Sequence, residues 1–469
     1  MIFLCYNKFG DFMNKKDFEK YLNLAVSTGA DFAEIYYEKN CDKNYNLIDS
    51  KLDQIQSNNS IGLGIRITMD KESFYSSTND LTSDNIENII KKMLKNIPIK
   101  KAKKVLLTDL VDKTKKVKIP HDDYPVEKKK ELLTNIDKIA RNESKLINQV
   151  SASIIEQDRE FTIANSDGKY IKSNAILTRI CATVFAERDT EKQKEFTDFA
   201  GGLGYEILDK YDVEEAIVKV AKTAVEKLDA VDFKGGELPV VIAPGFGAVI
   251  FHEACGHGLE ATSVAPHLSV FSDDLGKKIA TPKVTLIDDG TIEDAWGSSI
   301  IDDEGNETKK NVLIEKGILK NYLVDQFNSK DMNLPSNGCG RRQNYKYATT
   351  SRMSNTYLAP GTDKVEDMIK SIKLGVYCER LSGGSVNTAT GDFNFAVDTA
   401  RLIKDGKIDK LLKGITLIGN SKDVLSNVEM ISDDLKISAG FCGSRSGMIP
   451  VTIGQPTIKV SKILVGGKE

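Results

Sequence analysis

Residues Leu238–Ala261 read LPVVIAPGFGAVIFHEACGHGLEA. Leu238–Ala243 is an apolar run of strand length, closed by the turn residues Pro244 and Gly245. The turn feeds a helix over Phe251–Ala261. That helix carries two of the chain's four histidines, His252 and His257, with Glu253 beside the first. Histidines four residues apart lie about 40° from each other around an α-helix, whereas five residues apart they lie about 140° from each other. His252 and His257 can face one ion only if the helix absorbs an extra residue, as a π-bulge does, and Gly256 is the natural place for it. With so few histidines, a chance pair at this spacing beside a glutamate is on the order of one in a few hundred. The segment is therefore read as a metal site, with Glu253 as the general base of a metal-assisted hydrolysis. A purely structural site would leave Glu253 without a role and would hold more cysteines. The spacing leaves the third ligand open. Cys255 lies three residues beyond His252 on the same helical face, downstream aspartates and glutamates are available, and Cys442 sits on a loop flanked by Gly440 and Gly443.

Beyond the helix, hairpin signatures recur at Asp288-Asp289-Gly290, at residues 302–306, at Glu315-Lys316-Gly317 and at Lys404-Asp405-Gly406. Met368–Leu374 has a helical pattern. The C-terminal part, 235–469, is expected to be mainly antiparallel β wrapped around the metal-binding helix. Eight of the 35 glycines precede residue 235 and 27 lie from there onward, which sets a boundary near Asp232–Glu237.

The fold class expected for the whole chain is α+β. Ahead of the boundary, one plan is used twice, a candidate duplication of helix, antiparallel meander and helix. The first unit, 15–110, opens with a helix over Lys16–Ser27. Strand-like runs follow at Phe32–Glu38, Tyr45–Asp49, Gly62–Met69 and Glu72–Ser76, and Ser83 caps the closing helix. The second unit, 111–234, opens with Val126–Ala140, continues through runs from Val150 to Ala186, and closes with a helix capped by Asp212. The lysine-rich stretch Lys91–Lys104 has no interleaved aromatic residues for base stacking and reads as a solvated linker. Residues 1–14 are expected to be disordered or a mis-assigned start, with Met13 as the alternative to Met1.

With 469 residues, 40% apolar and 28% charged, the chain is long enough for two or three domains and too apolar for general disorder. Lysine and arginine total 65 against 68 acids, a net charge of −3, which argues against a direct nucleic-acid role. The seven cysteines are odd in number and contain no C-x-x-C pair. That pattern suits a reducing compartment, and with no apolar run near 20 residues the expectation is a soluble, cytoplasmic protein without membrane contact. His121 and His267 read as ordinary surface or partner-contact histidines.

The chain resembles the TldD/PmbA family, in its TldD-type, metal-competent branch. The resemblance runs through ADFAEIYYEK (Ala30–Lys39), HEACGHGLEA (His252–Ala261), LSVFSDDLG (Leu268–Gly276) and IDDGTIEDAWGSSIIDDEG (Ile287–Gly305). It continues through NGCGRRQNYKY and RMSNTYLAPG within Asn337–Gly361, and through FCGSRSGMIPVTIGQPTIKV and LVGG within Phe441–Gly467. The resemblance implies a zinc-dependent peptidase of the H-E-x-x-x-H type with one zinc per active chain, His252, His257 and Cys442 as metal ligands and Glu253 as the catalytic carboxylate. It further implies cleavage of unfolded or extended peptides in the enclosed chamber of a dimer, formed with a PmbA/TldE-type paralogue or with a second copy. Many bacterial relatives continue the motif as HGLEGD, where this chain has Ala261 and Thr262; Glu260 remains and is expected to orient a histidine. Arg341, Arg342, Arg352 and Asn355 are candidates for holding the substrate, with surface or interface salt bridges as the alternative for the arginines. Asn355–Tyr357 and Ser385–Thr390 are family-typical segments read first as building the fold, with lining the chamber as the alternative. The competing readings are a non-catalytic, metal-stabilised peptide-binding or regulatory subunit, and a hydrolase of non-peptide amides.

Overall fold

The computed structural model describes residues 13–467 apart from 96 and 99. Residues 1–12, which hold most of the expected disordered or mis-assigned start, lie outside the described residues. Met13 is buried, and Asn14 caps helix α1 (Lys15–Ala25) by accepting from the Lys16 N–H in a capping box closed by Asp17.

The first part is mixed α+β, with its strands gathered into one sheet. Strands β1 (Phe32–Ile48), β2 (Lys51–Met69), β3 (Glu72–Thr78), β4 (Val111–Lys113), β5 (Ile147–Asn165), β6 (Tyr170–Arg188) and β7 (Glu191–Gly201) form it in the order β3-β2-β1-β5-β6-β4, with β7 also on β6. The short strands expected from sequence are fused into runs of up to 19 residues. Lys39–Asn44, the polar stretch between the strand-like runs Phe32–Glu38 and Tyr45–Asp49, is paired on both sides, against Ile61–Gln56 of β2 and Glu160–Ile155 of β5. Ladder bonds use only the backbone, so alternate polar side chains are tolerated wherever one face of an antiparallel sheet is wet. Helices α1 and α2 (Ser83–Leu94) cover one end of the sheet, burying Phe18, Leu22, Ile86 and Ile90 against Ile35 and Ile65. Helices α3 (Val126–Glu143) and α4 (Val213–Glu226) cover the other end through Leu133, Ile136, Ile217 and Ala221. The Asp212 side chain caps α4 by accepting from the Glu215 N–H. Ser83 is the first helical residue of α2, and Thr82 occupies the cap position.

The second part contains two sheets with the metal-motif segment between them. One is six-stranded, in the order β11 (Ile318–Leu319), β10 (Lys310–Glu315), β9 (Leu286–Asp289), β14 (Asn355–Leu358), β21 (Gly447–Gln455) and β20 (Lys436–Ser444). A small ribbon pairs β12 (Gly340–Arg341) with β13 (Thr350–Ser351). The other sheet closes on itself. β8 (Gly236–Ile242) pairs β15 (Leu374–Val386) and β22 (Ile458–Gly466), β22 pairs β18 (Thr416–Asn420), β18 pairs β16 (Asp392–Lys404), and β16 returns to β15. β17 (Lys407–Leu412) and β19 (Val428–Ile431) lie on its outside. The helix expected over Met368–Leu374 sits earlier, at Val365–Lys370, because Leu374 already begins β15.

Buried ion pairs tie the two parts together. Arg342 Nη2 meets Glu34 Oε1 of β1 at 2.5 Å, and Arg66 Nη2 of β2 meets Glu304 Oε1 at 2.7 Å. Neither side chain can leave the interface without abandoning a buried opposite charge, which fixes the seating of the first sheet on the second part.

Candidate metal centre

The motif segment is built as a sequence of pitches rather than as one α-helix. Gly245, at φ +88°, makes the turn after β8. A 3₁₀ turn at Phe246–Ala248 leads into α5 (Val249–Phe251), then a π-turn at His252–Gly256 and a 3₁₀ turn at His257–Leu259. The helix expected over Phe251–Ala261 therefore begins earlier and stops before Glu260, which is extended. Its apolar side, including Ile250, Phe251, Cys255 and Leu259, is buried between the sheets. The π-turn supplies the extra residue that an interval of five requires. Gly256 is helical, and its lack of a side chain serves close packing, since a Cβ there would stand 2.0 Å from Met353 Sδ.

The turn brings both imidazoles to one thiol. His252 Nε2 and His257 Nε2 each lie 3.2 Å from Cys442 Sγ, with ring centroids 5.1 Å apart and planes at 84°. The donor atoms of the three residues all fall within 4.8 Å of one another. A tetrahedral zinc with ordinary Zn–N and Zn–S bonds sets N···S edges of about 3.5 Å, so this donor set fits such an ion with adjustments of a few tenths of an ångström. Burial opposes ionisation of the Cys442 thiol, but the flanking His252 and His257 imidazoles outweigh it and pull its pKa down to about 3. The thiol is thus held in the form that binds metals. Cys255, the local alternative, is fully buried in the core, and burial pushes its thiol well up.

Around the three donors, each neighbour has a definable task. Glu260 Oε2 lies 3.0 Å from His257 Nδ1, while its Oε1 accepts from the Met353 N–H at 3.3 Å. Burial works against protonation of His257, and Glu260 and Cys442 together outweigh it, raising its pKa. Glu253 Oε2 stands 3.8 Å from His257 Nε2, and the side chain borders a cavity of about 560 Å³. His257, Glu260, Ser385, Thr388, Phe441 and Cys442 also line that cavity, as do Thr262 and Arg445. Ser385 and Thr388 fall within the segment Ser385–Thr390; Phe441 and Arg445 belong to the stretch FCGSRSGMIP and Thr262 is the departure from HGLEGD, but nothing in the spacing alone places them at the site. Glu260→Gln is expected to weaken zinc binding about 10–100-fold, the usual effect of losing a histidine's outer partner, measured by competition with a chromophoric chelator.

The candidates for holding substrate are placed differently. Arg341 donates to the carbonyls of Met353 and Pro450 at 2.7 and 2.8 Å, and Arg342 is committed to Glu34 and the Asp303 carbonyl. Arg352, with no exposed surface, donates to the Cys442 carbonyl at 2.7 Å, to Ser446 Oγ at 2.9 Å and to the Gly447 carbonyl at 3.1 Å. Asn355, on β14, donates to the carbonyl of Asp289 on the adjacent β9 and to Ser298 Oγ in the loop that follows. None of the four lines the cavity, so the substrate role expected of them gives way to a framework role. Arg352 in particular fixes the backbone of Cys442. His121 departs from the surface position expected of it. It is buried between Asp158 and Thr178 at 2.8 Å each, whereas His267 is exposed.

The descriptions "PmbA/TldA metallopeptidase domain 1", "central domain" and "C-terminal domain" match residues 33–97, 119–230 and 235–467. A Haemophilus influenzae protein described as "Metalloprotease TldD homolog" is 32% identical over 448 residues, covering 93% of each chain. This chain belongs to the PmbA/TldD metallopeptidase family. Its resemblance is to the TldD branch: a Saccharolobus solfataricus relative described as "Zinc metalloprotease TldD homolog" is 28% identical over 453 residues, 96% of this chain and 99% of its own. The fold is shared with TldE from Thermococcus kodakarensis, at TM-score 0.78 and 20% identity, covering 96% of this chain and 100% of that one. No helix among the described residues is long and apolar enough to cross a membrane.

Proposed function

We propose that this PmbA/TldD family member is a zinc-dependent peptidase of the H-E-x-x-x-H type, acting on unfolded or extended peptides. The convergence of His252, His257 and Cys442 beside Glu253 carries this reading, with Glu253, His257 and Cys442 lining an open cavity. The two imidazoles and the thiolate would hold one zinc ion per chain. When bound, zinc supplies a Lewis acid that polarises the scissile carbonyl and acidifies water. Glu253 Oε2 receives the proton of the attacking water and delivers it to the leaving amine nitrogen. Glu260, through Nδ1 of His257, holds that ring in the orientation that leaves Nε2 facing the site.

The walls suit a main-chain ligand. β20 pairs only with β21 among the described residues, so its other edge is open beside Cys442, and Gly384–Val386 at the end of β15 face it across the cavity. Phe441 also borders a second cavity of about 350 Å³ that continues past Ala439 and Gly440 to Arg380. An extended peptide added as a strand along β20 would gain backbone hydrogen bonds with little demand on its side chains. The fold shared with a TldE protein favours a dimeric chamber, with a PmbA/TldE-type paralogue or a second copy closing it. The near-neutral charge argues against direct nucleic-acid partners.

Incubating the purified chain, with and without its paralogue, with an unfolded polypeptide and reading fragments by mass spectrometry tests this. Fragments are expected, lost on chelation and regained with zinc. Their absence under both conditions would instead favour a peptide-binding subunit without catalysis.

A further inference from the structure

The tip of the β20–β21 hairpin is anchored in a way that isolates one side chain. Ser444 pairs with Gly447, which leaves Arg445 and Ser446 as a two-residue turn, and Gly447 takes the positive φ of +89° that closes it. Ser446 is fully buried; its Oγ accepts from Arg352 and its carbonyl accepts from the Gln343 N–H at 2.8 Å. With Ser446 drawn inward, Arg445 is exposed on the cavity wall, on the same hairpin as Cys442. Arg341, Arg342 and Arg352 each donate to internal acceptors, whereas Arg445 makes no hydrogen bond or ion pair among the described residues. The acids on the same wall leave it free as well. Glu260 is engaged by His257 and Met353, and Glu253 lies against His257.

Position sets what this guanidinium can meet. Arg445 is three residues beyond Cys442, about 10 Å along a strand, and a peptide laid on the open edge of β20 has the same rise. A group reaching Arg445 therefore sits two to three residues from the bond at the metal centre. A guanidinium fork matches a carboxylate, and it does so best at a wall it does not share with a competing partner. We propose that Arg445 recognises a carboxylate of the substrate peptide, either its C-terminal group or an Asp or Glu side chain, two to three residues from the cleaved bond, and thereby selects where the chain is cut. The inference rests on the peptidase reading above.

Three kinds of fluorescent peptide built on one neutral sequence test it: one with a free C-terminus, one ending in a carboxamide, and an amidated series carrying a single aspartate at successive positions. Binding is read by anisotropy and cleavage by mass spectrometry, on the same zinc-loaded full-length samples. The expected result is binding of the free-acid peptide, the aspartate peptide or both about tenfold tighter than the neutral amide, equivalent to about 1.4 kcal/mol. Which of them gains tells whether the terminal or the side-chain carboxylate is read. Arg445→Gln should bring that ratio to one and Arg445→Lys should keep part of it, which a purely structural arginine would not do. The favoured cut should move with the aspartate in the wild type and not in Arg445→Gln. Equal binding of all three peptides by the wild type, or a preference that survives Arg445→Gln, overturns the inference. Cleavage without carboxylate preference would remove this inference and leave the peptidase reading standing; carboxylate preference in binding without fragments would do the reverse.

Discussion

Glu253→Gln should retain its zinc and its fold while peptide hydrolysis falls about 10²–10⁴-fold, the usual contribution of a positioned general base. Glutamine keeps the length and shape of the side chain, and the position is only partly buried, so packing gives no reason for a stability change. What disappears is the ability to take a proton. Glu253 Oε2 is 3.8 Å from His257 Nε2 and borders the cavity, while neither Glu260 carboxylate oxygen is free to replace it. An interaction made only in the transition state lowers kcat and kcat/KM together, so KM for a test peptide should hold while kcat collapses. Metal analysis and steady-state kinetics on the same preparation decide it. Undiminished hydrolysis would show that Glu253 is not the base.

The parts of this site that could be read in the sequence are those set by local spacing. His252, Glu253 and His257 are neighbours in the chain, and the interval of five by itself demands the π-turn that the structure contains at His252–Gly256. Cys442 is 190 residues from His252, and spacing carries no information over that distance; only the family resemblance singled it out among the candidate ligands. The arginines show the opposite failure. Arg352 looks like a substrate anchor because charged residues are normally exposed, yet here it is buried and satisfies three main-chain or hydroxyl acceptors of the β20–β21 hairpin. Nothing local distinguishes such an arginine from Arg445, which does face the cavity. The same limit applies to the first part of the chain. Its helices follow from apolar periodicity and caps such as Asp212, but the continuity of β1 through Lys39–Asn44 depends on partners 12 to 121 residues away, so that polar middle carries no strand pattern of its own.

Cys442→Ala and Cys255→Ala separate a metal ligand from a core thiol, since both cysteines lie near His252 and only one points at it. Cys442 Sγ meets both imidazoles at 3.2 Å, whereas Cys255 is packed in the apolar core with no exposed surface. Removing Cys442 leaves two histidines, one short of the three protein ligands usual in a catalytic zinc site. Zinc affinity should then fall by far more than the 10–100-fold that losing an outer hydrogen bond costs. Hydrolysis should fall with it, and the protein should elute metal-free after dialysis. Cys255→Ala should retain zinc and activity and lose only about 1 kcal/mol of stability, the burial of a small apolar group. Thiol chemistry gives an independent measure. In metal-stripped protein, iodoacetamide at pH 6 should label Cys442, whose pKa of about 3 keeps it a thiolate, and should spare Cys255, whose thiol burial has pushed up. The sign follows from the direction of each shift: a pKa lowered in the folded protein keeps the reactive form at pH values where an ordinary thiol is protonated. Added zinc should then protect Cys442 from the reagent. Retention of zinc by Cys442→Ala, or labelling that zinc leaves unchanged, would remove Cys442 from the ligand set and return the third position to the acids around the cavity.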